Sequence, residues 1–166
     1  EVVFTLDFLQ AALGGEQTLQ IRRPTAEGAM KLESVTVRIP PGVSDGGVLR
    51  IPRKGGEGIG GGPPGDLLAQ IEVRPHPVFR REERDVYFDL PISLKEALLG
   101  AKIEVPTLDG RATLSVPAAT SSGQKLRLRG KGIPSASGKK HGDLYAIVQV
   151  QVPRELDDEA KRKLAD

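Results

Sequence analysis

The 166-residue chain contains no cysteine, no tryptophan and a single methionine. Without cysteine there are no disulfides, thiolate zinc sites, iron–sulfur clusters or cysteine nucleophiles. Its two histidines, His76 and His141, are far apart in the chain and have no carboxylates at ligand spacing, so neither a metal site nor any other cofactor is expected. Aromatics are scarce, with four Phe and two Tyr, which leaves little from which to build a base-stacking platform. Neither sign of charge dominates: 24 basic residues face 22 acidic ones, and the pI near 9.0 reflects that small excess. No apolar run approaches the roughly 18 residues of a membrane-spanning helix. Residue 1 is Glu and Val2 already opens a strand-like segment, so the chain reads as a piece of a longer protein without a secretory leader, in a cytoplasmic setting.

What is plentiful is turn-forming residues, 20 Gly and 13 Pro, spaced between β-branched runs. They punctuate an internal repeat. Val2, Phe4, Leu6 and Phe8 alternate, as do Phe88, Leu90, Ile92 and Leu94 at an offset of 86, and Ala11 and Gly14 fall on Ala97 and Gly100. Further on the offset is 77: Pro40, Gly46, Leu49, Arg50, Gly65, Asp66 and Ala69 fall on Pro117, Gly123, Leu126, Arg127, Gly142, Asp143 and Ala146. The first copy therefore carries nine extra residues between Gly14 and Pro40. Each copy predicts an alternating strand, one short helical turn, a further strand, a hairpin and a closing strand after Gly-Asp. In the second copy Ser93 and Glu96 form a capping box and Gly100 ends the turn. The fold class is mainly β: two tandem small β-sandwiches of similar topology, each with one short helix. The first covers 1–78 and the second 79–153, with the stiff Pro75-His76-Pro77 connection at their boundary. Residues 154–166, with Asp157-Asp158-Glu159 ahead of Ala160 and Leu164, read as the start of a helix.

Several motifs tempt a catalytic reading. Gly42-Val43-Ser44-Asp45-Gly46 fits a hydrolase nucleophile elbow, but that elbow joins a strand directly to a helix, whereas this segment follows Pro40-Pro41 and precedes a strand. A hydrolase using Ser44 is thus a rival to be tested by turnover, and a hairpin turn is the expectation. Gly56-Glu57-Gly58-Ile59-Gly60-Gly61 fits a dinucleotide fingerprint, yet Gly62-Pro63-Pro64 follows where a helix should start. Asp66 and Asp143 recur at strand entrances, as turn-stabilising carboxylates do. The basic clusters Arg22-Arg23, Arg80-Arg81 and Lys125 to Lys131 are read as solvated faces. No acid–base or nucleophile–base constellation stands out, so no enzyme and no catalytic residue are expected.

Taken together, Leu6 through Gly15, Ile39-Pro40-Pro41-Gly42-Val43, Gly65-Asp66-Leu67-Leu68 and His76-Pro77-Val78-Phe79-Arg80 resemble the C-terminal half of DnaJ-type co-chaperones. So, in the second copy, do Leu94 through Gly100, Thr107-Leu108-Asp109-Gly110, Leu126 through Gly132 and Gly142-Asp143-Leu144-Tyr145. The resemblance covers essentially the whole chain in order. The zinc-binding cysteine repeats of many members are absent, so the likeness is to the zinc-free members. The His-Pro-Asp of the J-domain is absent too, since Val78 follows His76-Pro77.

The resemblance implies a client-binding module that holds unfolded polypeptides in apolar grooves and delivers them to a DnaK-type chaperone, with no membrane partner. Residues corresponding to the family's client groove are Val2, Phe4, Leu19, Ile21 and Ala69. Some members also bind the acidic tail of their chaperone partner; Arg74 matches one position used for this, and Arg22 stands nearby in sequence pattern. Family members dimerise through a C-terminal helix, which implies a homodimer in the full-length protein. A nucleic-acid-binding DnaJ-like protein is the alternative, and it predicts a steep loss of binding with salt.

Overall fold

A computed structural model of the chain describes residues 2–25, 27–52, 65–138 and 140–166, leaving the side chains of Ile21, Arg23 and Pro24 undescribed. The dinucleotide-like glycine motif at 56–61 lies outside the described residues.

The first copy begins with strand β1 (Val2–Leu6) and helix α1 (Phe8–Leu13), followed by the hairpin of β2 (Gly15–Pro24) and β3 (Met30–Ile39). Strands β4 (Val48–Ile51) and β5 (Leu67–Val73) complete it. In one sheet β5 lies between a parallel β1 and an antiparallel β4; β2 and β3 form the other. Strand alternation turns Phe4, Leu6, Ala69 and Ile71 of the first sheet and Val35, Val37 and Ile39 of the second into one buried cluster.

The second copy repeats this plan with one addition. A short strand β6 (Arg80–Glu82) precedes β7 (Asp85–Ser93) and pairs antiparallel with it. Helix α2 (Leu94–Leu99), the hairpin of β8 (Ala101–Thr107) and β9 (Gly110–Val116), then β10 (Lys125–Leu128) and β11 (Leu144–Gln151) follow. The sheet order is β10-β11-β7-β6, with β11 parallel to β7. Helix α3 (Asp158–Ala165) ends the chain, capped where the Asp157 carboxylate accepts from the Ala160 N–H at 2.7 Å.

The strand registers carry both sequence offsets. Val2 lies opposite Ala69 as Phe88 lies opposite Ala146, and Gly15 opposite Ile39 as Ala101 opposite Val116. The capping box of α2 forms in full: Glu96 N–H donates to Ser93 Oγ at 3.1 Å and Ser93 N–H to Glu96 Oε1 at 2.9 Å. After each helix a glycine, Gly14 or Gly100, passes close to the facing strand; a Cβ there would stand 2.5 Å from the Ile39 carbonyl oxygen or 2.8 Å from that of Val116. Even the recurring aspartates match, since Asp66 pairs with Arg50 and Asp143 with Arg127. The Asp143 carboxylate also accepts the Gly130 N–H at 2.8 Å, the turn-bracing role expected of it.

In two places the structure departs from the alternation read in the sequence. Phe8 continues the period-two pattern of β1, but the strand ends at Leu6 and Phe8 opens α1. Its ring, with Ala12, then packs into the core of the second copy, while Ala11 of the same helix packs into the first. Strand β6 is the other departure: it has no apolar alternation and is held by backbone pairing to β7 and by its polar side chains.

Candidate functional site

Among the described residues β1 pairs with β5 only, so its other edge is free. On the structurally equivalent strand, β7, that edge is occupied by β6, with Arg80, Arg81 and Glu82 opposite Tyr87, Val86 and Asp85. Behind the free edge lies the core of this unit, to which β1 and β2 both contribute side chains. Phe4 and Ala69 are buried, at 5% and 0% exposure, and belong to the core of this unit. Val2 and Leu19 pack against that core only partly buried, at its margin. Ile21 lies on β2 opposite Glu33, and its side chain lies outside the described residues. Of the five sequence-predicted groove residues, Phe4 and Ala69 thus lie in the core and Val2 and Leu19 at its rim.

The two arginines do not come together. Arg74 follows β5, donates its backbone N–H to the Leu6 carbonyl and brings its exposed guanidinium 3.7 Å from the Asp7 carboxylate. Arg22 is exposed toward the far end of the hairpin, opposite Leu32, seven residues along β2 from Gly15, roughly 23 Å at strand rise. The β2–β3 hairpin pairs over ten residues against seven in β8–β9, and its outer part exposes Met30 and Leu32, each at 63%.

The nucleophile-elbow pattern at 42–46 falls in a turn between two strands, with no helix after it. Ser44 is exposed in the turn between β3 and β4, where its carbonyl accepts the Gly47 N–H at 3.0 Å. The neighbouring Asp45 carboxylate accepts the Val73 N–H at 2.8 Å. No cluster of three or more metal-ligating side chains occurs among the described residues, and no described helix is long and apolar enough to cross a membrane.

What sequence reasoning missed lies at the junction of the two units. Arg81, expected on a solvated face, is partly buried and donates three hydrogen bonds to carbonyl oxygens. Nε reaches Glu83 at 2.6 Å, Nη1 reaches Val43 at 2.7 Å and Nη2 reaches Gly42 at 2.7 Å, the last two in the first unit. Burial, and then the charge of Arg84, lower its pKa from the ordinary arginine value. Beside it Phe8, His76 and Phe79 form an aromatic cluster, with Phe79 edge-on to Phe88 of the second core at 6.0 Å. A recess of about 430 Å³ opens here, lined by Phe8, Ala11, Val73 and Pro75 together with Asp45, Arg74 and Arg81. The one available signal was the pair Phe79 and Arg81, a large apolar and a forked cationic side chain just after two prolines.

Arg80 points away from the junction and forms a bidentate pair with Asp89 at 2.9 and 3.3 Å. The hydrogen bond from Arg80 is the main cause that holds the Asp89 carboxyl below the usual range. On the same sheet face Tyr87 and Tyr145 stack at 5.1 Å with Lys125 over the Tyr87 ring. Desolvation, then Glu82, Asp85 and Tyr145, push the Tyr87 phenol above its ordinary pKa.

Two tandem β units of one topology, joined through a Pro-His-Pro segment and carrying no catalytic constellation among the described residues, are matched by one family pattern: the DnaJ C terminal domain, over residues 1–153. The chain belongs to this DnaJ C-terminal family. It is 45% identical over 136 residues to the chaperone protein DnaJ of Exiguobacterium sp., a match covering 82% of this chain and 37% of that protein. The DnaJ of Geobacillus thermodenitrificans is 44% identical over 136 residues, 82% of this chain and 36% of that protein. A protein of Aromatoleum aromaticum called chaperone protein DnaJ 2 is 45% identical over 134 residues, 81% and 36% of the two chains. The chain thus spans just over a third of the length of these DnaJ relatives.

Proposed function

We propose that this chain is the client-holding part of a DnaJ-type co-chaperone, without catalytic activity of its own, acting in the cytoplasm. An extended apolar segment of an unfolded polypeptide adds as a strand to the free edge of β1. Its inward side chains enter between Val2 and Phe4 on one side and Leu19 and Ile21 on the other, above Ala69. The observation that carries this reading is the contrast between equivalent edges: β6 lies on one edge of β7, and no strand among the described residues lies on the corresponding edge of β1. An exposed edge of this kind is a template for pairing with another chain.

Held segments are then passed to a DnaK-type chaperone, with Arg74 contributing to capture of that partner's acidic tail. The separation of Arg22 from Arg74 makes Arg22 a poor member of the same tail contact. Dimerisation through the segment beginning at α3 gives the full-length protein two such arms, whose combined avidity exceeds that of either one. A shallow groove filling two or three pockets supports affinities of roughly micromolar or weaker.

The test is an amide-shift titration of the 166-residue chain with an unstructured apolar peptide at low and high salt, beside Val2→Ser and Leu19→Ser. These rim positions spare the core, which Phe4 does not. Salt-insensitive shifts along β1 and β2, weakened about five- to tenfold by either substitution, are expected from the loss of roughly 1–1.5 kcal/mol of apolar contact. Shifts confined to basic loops and erased by salt point instead to nucleic acid.

A further inference from the structure

The Nδ1 atom of His76 accepts two backbone hydrogen bonds, from the Val78 N–H at 3.0 Å and the Phe79 N–H at 3.1 Å. A ring nitrogen accepts only while it carries no proton, so this geometry requires a neutral imidazole with its hydrogen on Nε2. The turn so shaped is the link between the two units. It seats Phe79, 5% exposed, between Phe8 and Phe88, and two residues later it delivers Arg81 to the Gly42 and Val43 carbonyls.

We propose that His76 is a proton-responsive latch that sets the alignment of the two β units. Protonating Nδ1 turns the shared acceptor into a donor aimed at two other donors, and both bonds are lost together. Val78 is exposed and water can replace its bond; the Phe79 amide is in a part-buried site, where an unmatched N–H costs more. The loosened turn then releases Phe79 from its seat and Arg81 from its carbonyls.

The imidazole is packed by the Phe8 ring from α1 at 5.7 Å and by the Phe79 ring at 4.9 Å. The charged groups lining the recess beside it are Asp7 at the start of α1 and Arg74 after β5, 3.7 Å from each other. That pair is neutral in sum, so a proton on His76 brings the recess its only net charge. On the junction side the Arg81 guanidinium is already committed to carbonyls.

The experiment is nuclear magnetic resonance on the whole 166-residue chain between pH 8 and pH 5, the range in which histidines change charge. Long-range ¹⁵N correlations read the His76 tautomer, amide spectra follow Val78, Phe79, Gly42 and Val43, and residual dipolar couplings give the orientation of each unit. At pH 8 the Nε2–H tautomer and a single alignment for both units are expected. On acidification the Val78 and Phe79 amides, the Gly42 and Val43 amides and the inter-unit alignment change with one midpoint, that of the His76 ring. His76→Asn, whose Oδ1 can accept the same bonds without titrating, keeps the alignment throughout, and His141→Gln leaves the wild-type transition in place. The proposal is overturned by an Nδ1–H tautomer at pH 8, or by Gly42, Val43 and the alignment staying fixed while His76 titrates. The wild-type titration alone decides these points should the Asn variant fold poorly.

Discussion

One turn, used twice, gives a matched pair of substitutions. After β3 and after β9 the chain enters a left-handed residue, Gly42 at φ 83° in the first unit and Ala119 at φ 58° in the second. A left-handed L-residue costs about 1–2 kcal/mol, and glycine returns about 0.4–1 kcal/mol of that through its freer unfolded state. Ala119→Gly is therefore expected to stabilise the second unit by about 0.5–1 kcal/mol. In the reverse change, Gly42→Ala, the strain comes back, and the new Cβ also stands 3.1 Å from Ile133 Cγ2 across the junction. The expected loss is about 1–2 kcal/mol, larger than the gain at the equivalent site because the new Cβ crowds a side chain of the other unit. Urea unfolding followed by tyrosine fluorescence and by circular dichroism separates the two effects, since both tyrosines, Tyr87 and Tyr145, belong to the second unit. A glycine at position 119 that lowers stability, or an alanine at position 42 that leaves it unchanged, refutes the reasoning.

Three further outcomes follow from the junction and the second sheet. Arg81→Ala removes three charge-assisted bonds from a half-buried site, and a destabilisation of about 2–4 kcal/mol with separation of the two unfolding transitions is expected. Arg81→Lys recovers less than half of it, because an ammonium cannot span the fork; equal stability of Lys and Arg variants in calorimetry would count against the clasp. For Asp89 the folded-state pKa is depressed, so the stability it contributes is present above the unfolded value of about 3.9 and is lost as pH falls through the folded one. Carboxyl titration by ¹³C resonance should find Asp89 low in the native chain and near the ordinary value in Arg80→Gln. Tyr87 behaves in the opposite sense: its raised pKa makes the folded state hold its proton longer, so stability declines as pH climbs through the unfolded tyrosine value of about 10. In Tyr145→Phe, where Tyr87 is the one tyrosine left, ultraviolet titration of phenolate should show ionisation above the ordinary tyrosine value.

The repeat was legible because each copy must bury one face of each strand and turn at fixed places. Offsets of 86 and 77 recur in the strand registers. Val2, Phe4, Leu19 and Ala69 were legible as inward positions, and alternation alone does not distinguish the partly buried Val2 and Leu19 from the buried Phe4 and Ala69. Strand β6 was not legible, since a three-residue edge strand of Arg-Arg-Glu buries no apolar face and is specified by its backbone partner. Phe8 misled because its alternation is real while its partner lies in the other unit, a long-range choice that local periodicity does not contain. Arg81 carried the same ambiguity: a cluster of two arginines reads as solvated until the carbonyls of Gly42 and Val43 are brought to it.

The parallel pairing of β1 with β5, and of β7 with β11, has a consequence for how the chain acquires its shape. In each unit the middle strand of the sheet is the last to be synthesised, and it must return to a first strand more than fifty residues earlier. Loop closure over such distances is slow, and the one tight hairpin in these two sheets, β6 with β7, does not bring β11 to its place. As the chain leaves the ribosome, β1 waits without a partner until β5 emerges. Phe8 and Ala12 wait longer, until β7 and β11 have built the core that receives them. During synthesis a protein read here as a holder of unfinished chains is itself unfinished, with β1 wholly unpaired and an aromatic ring exposed.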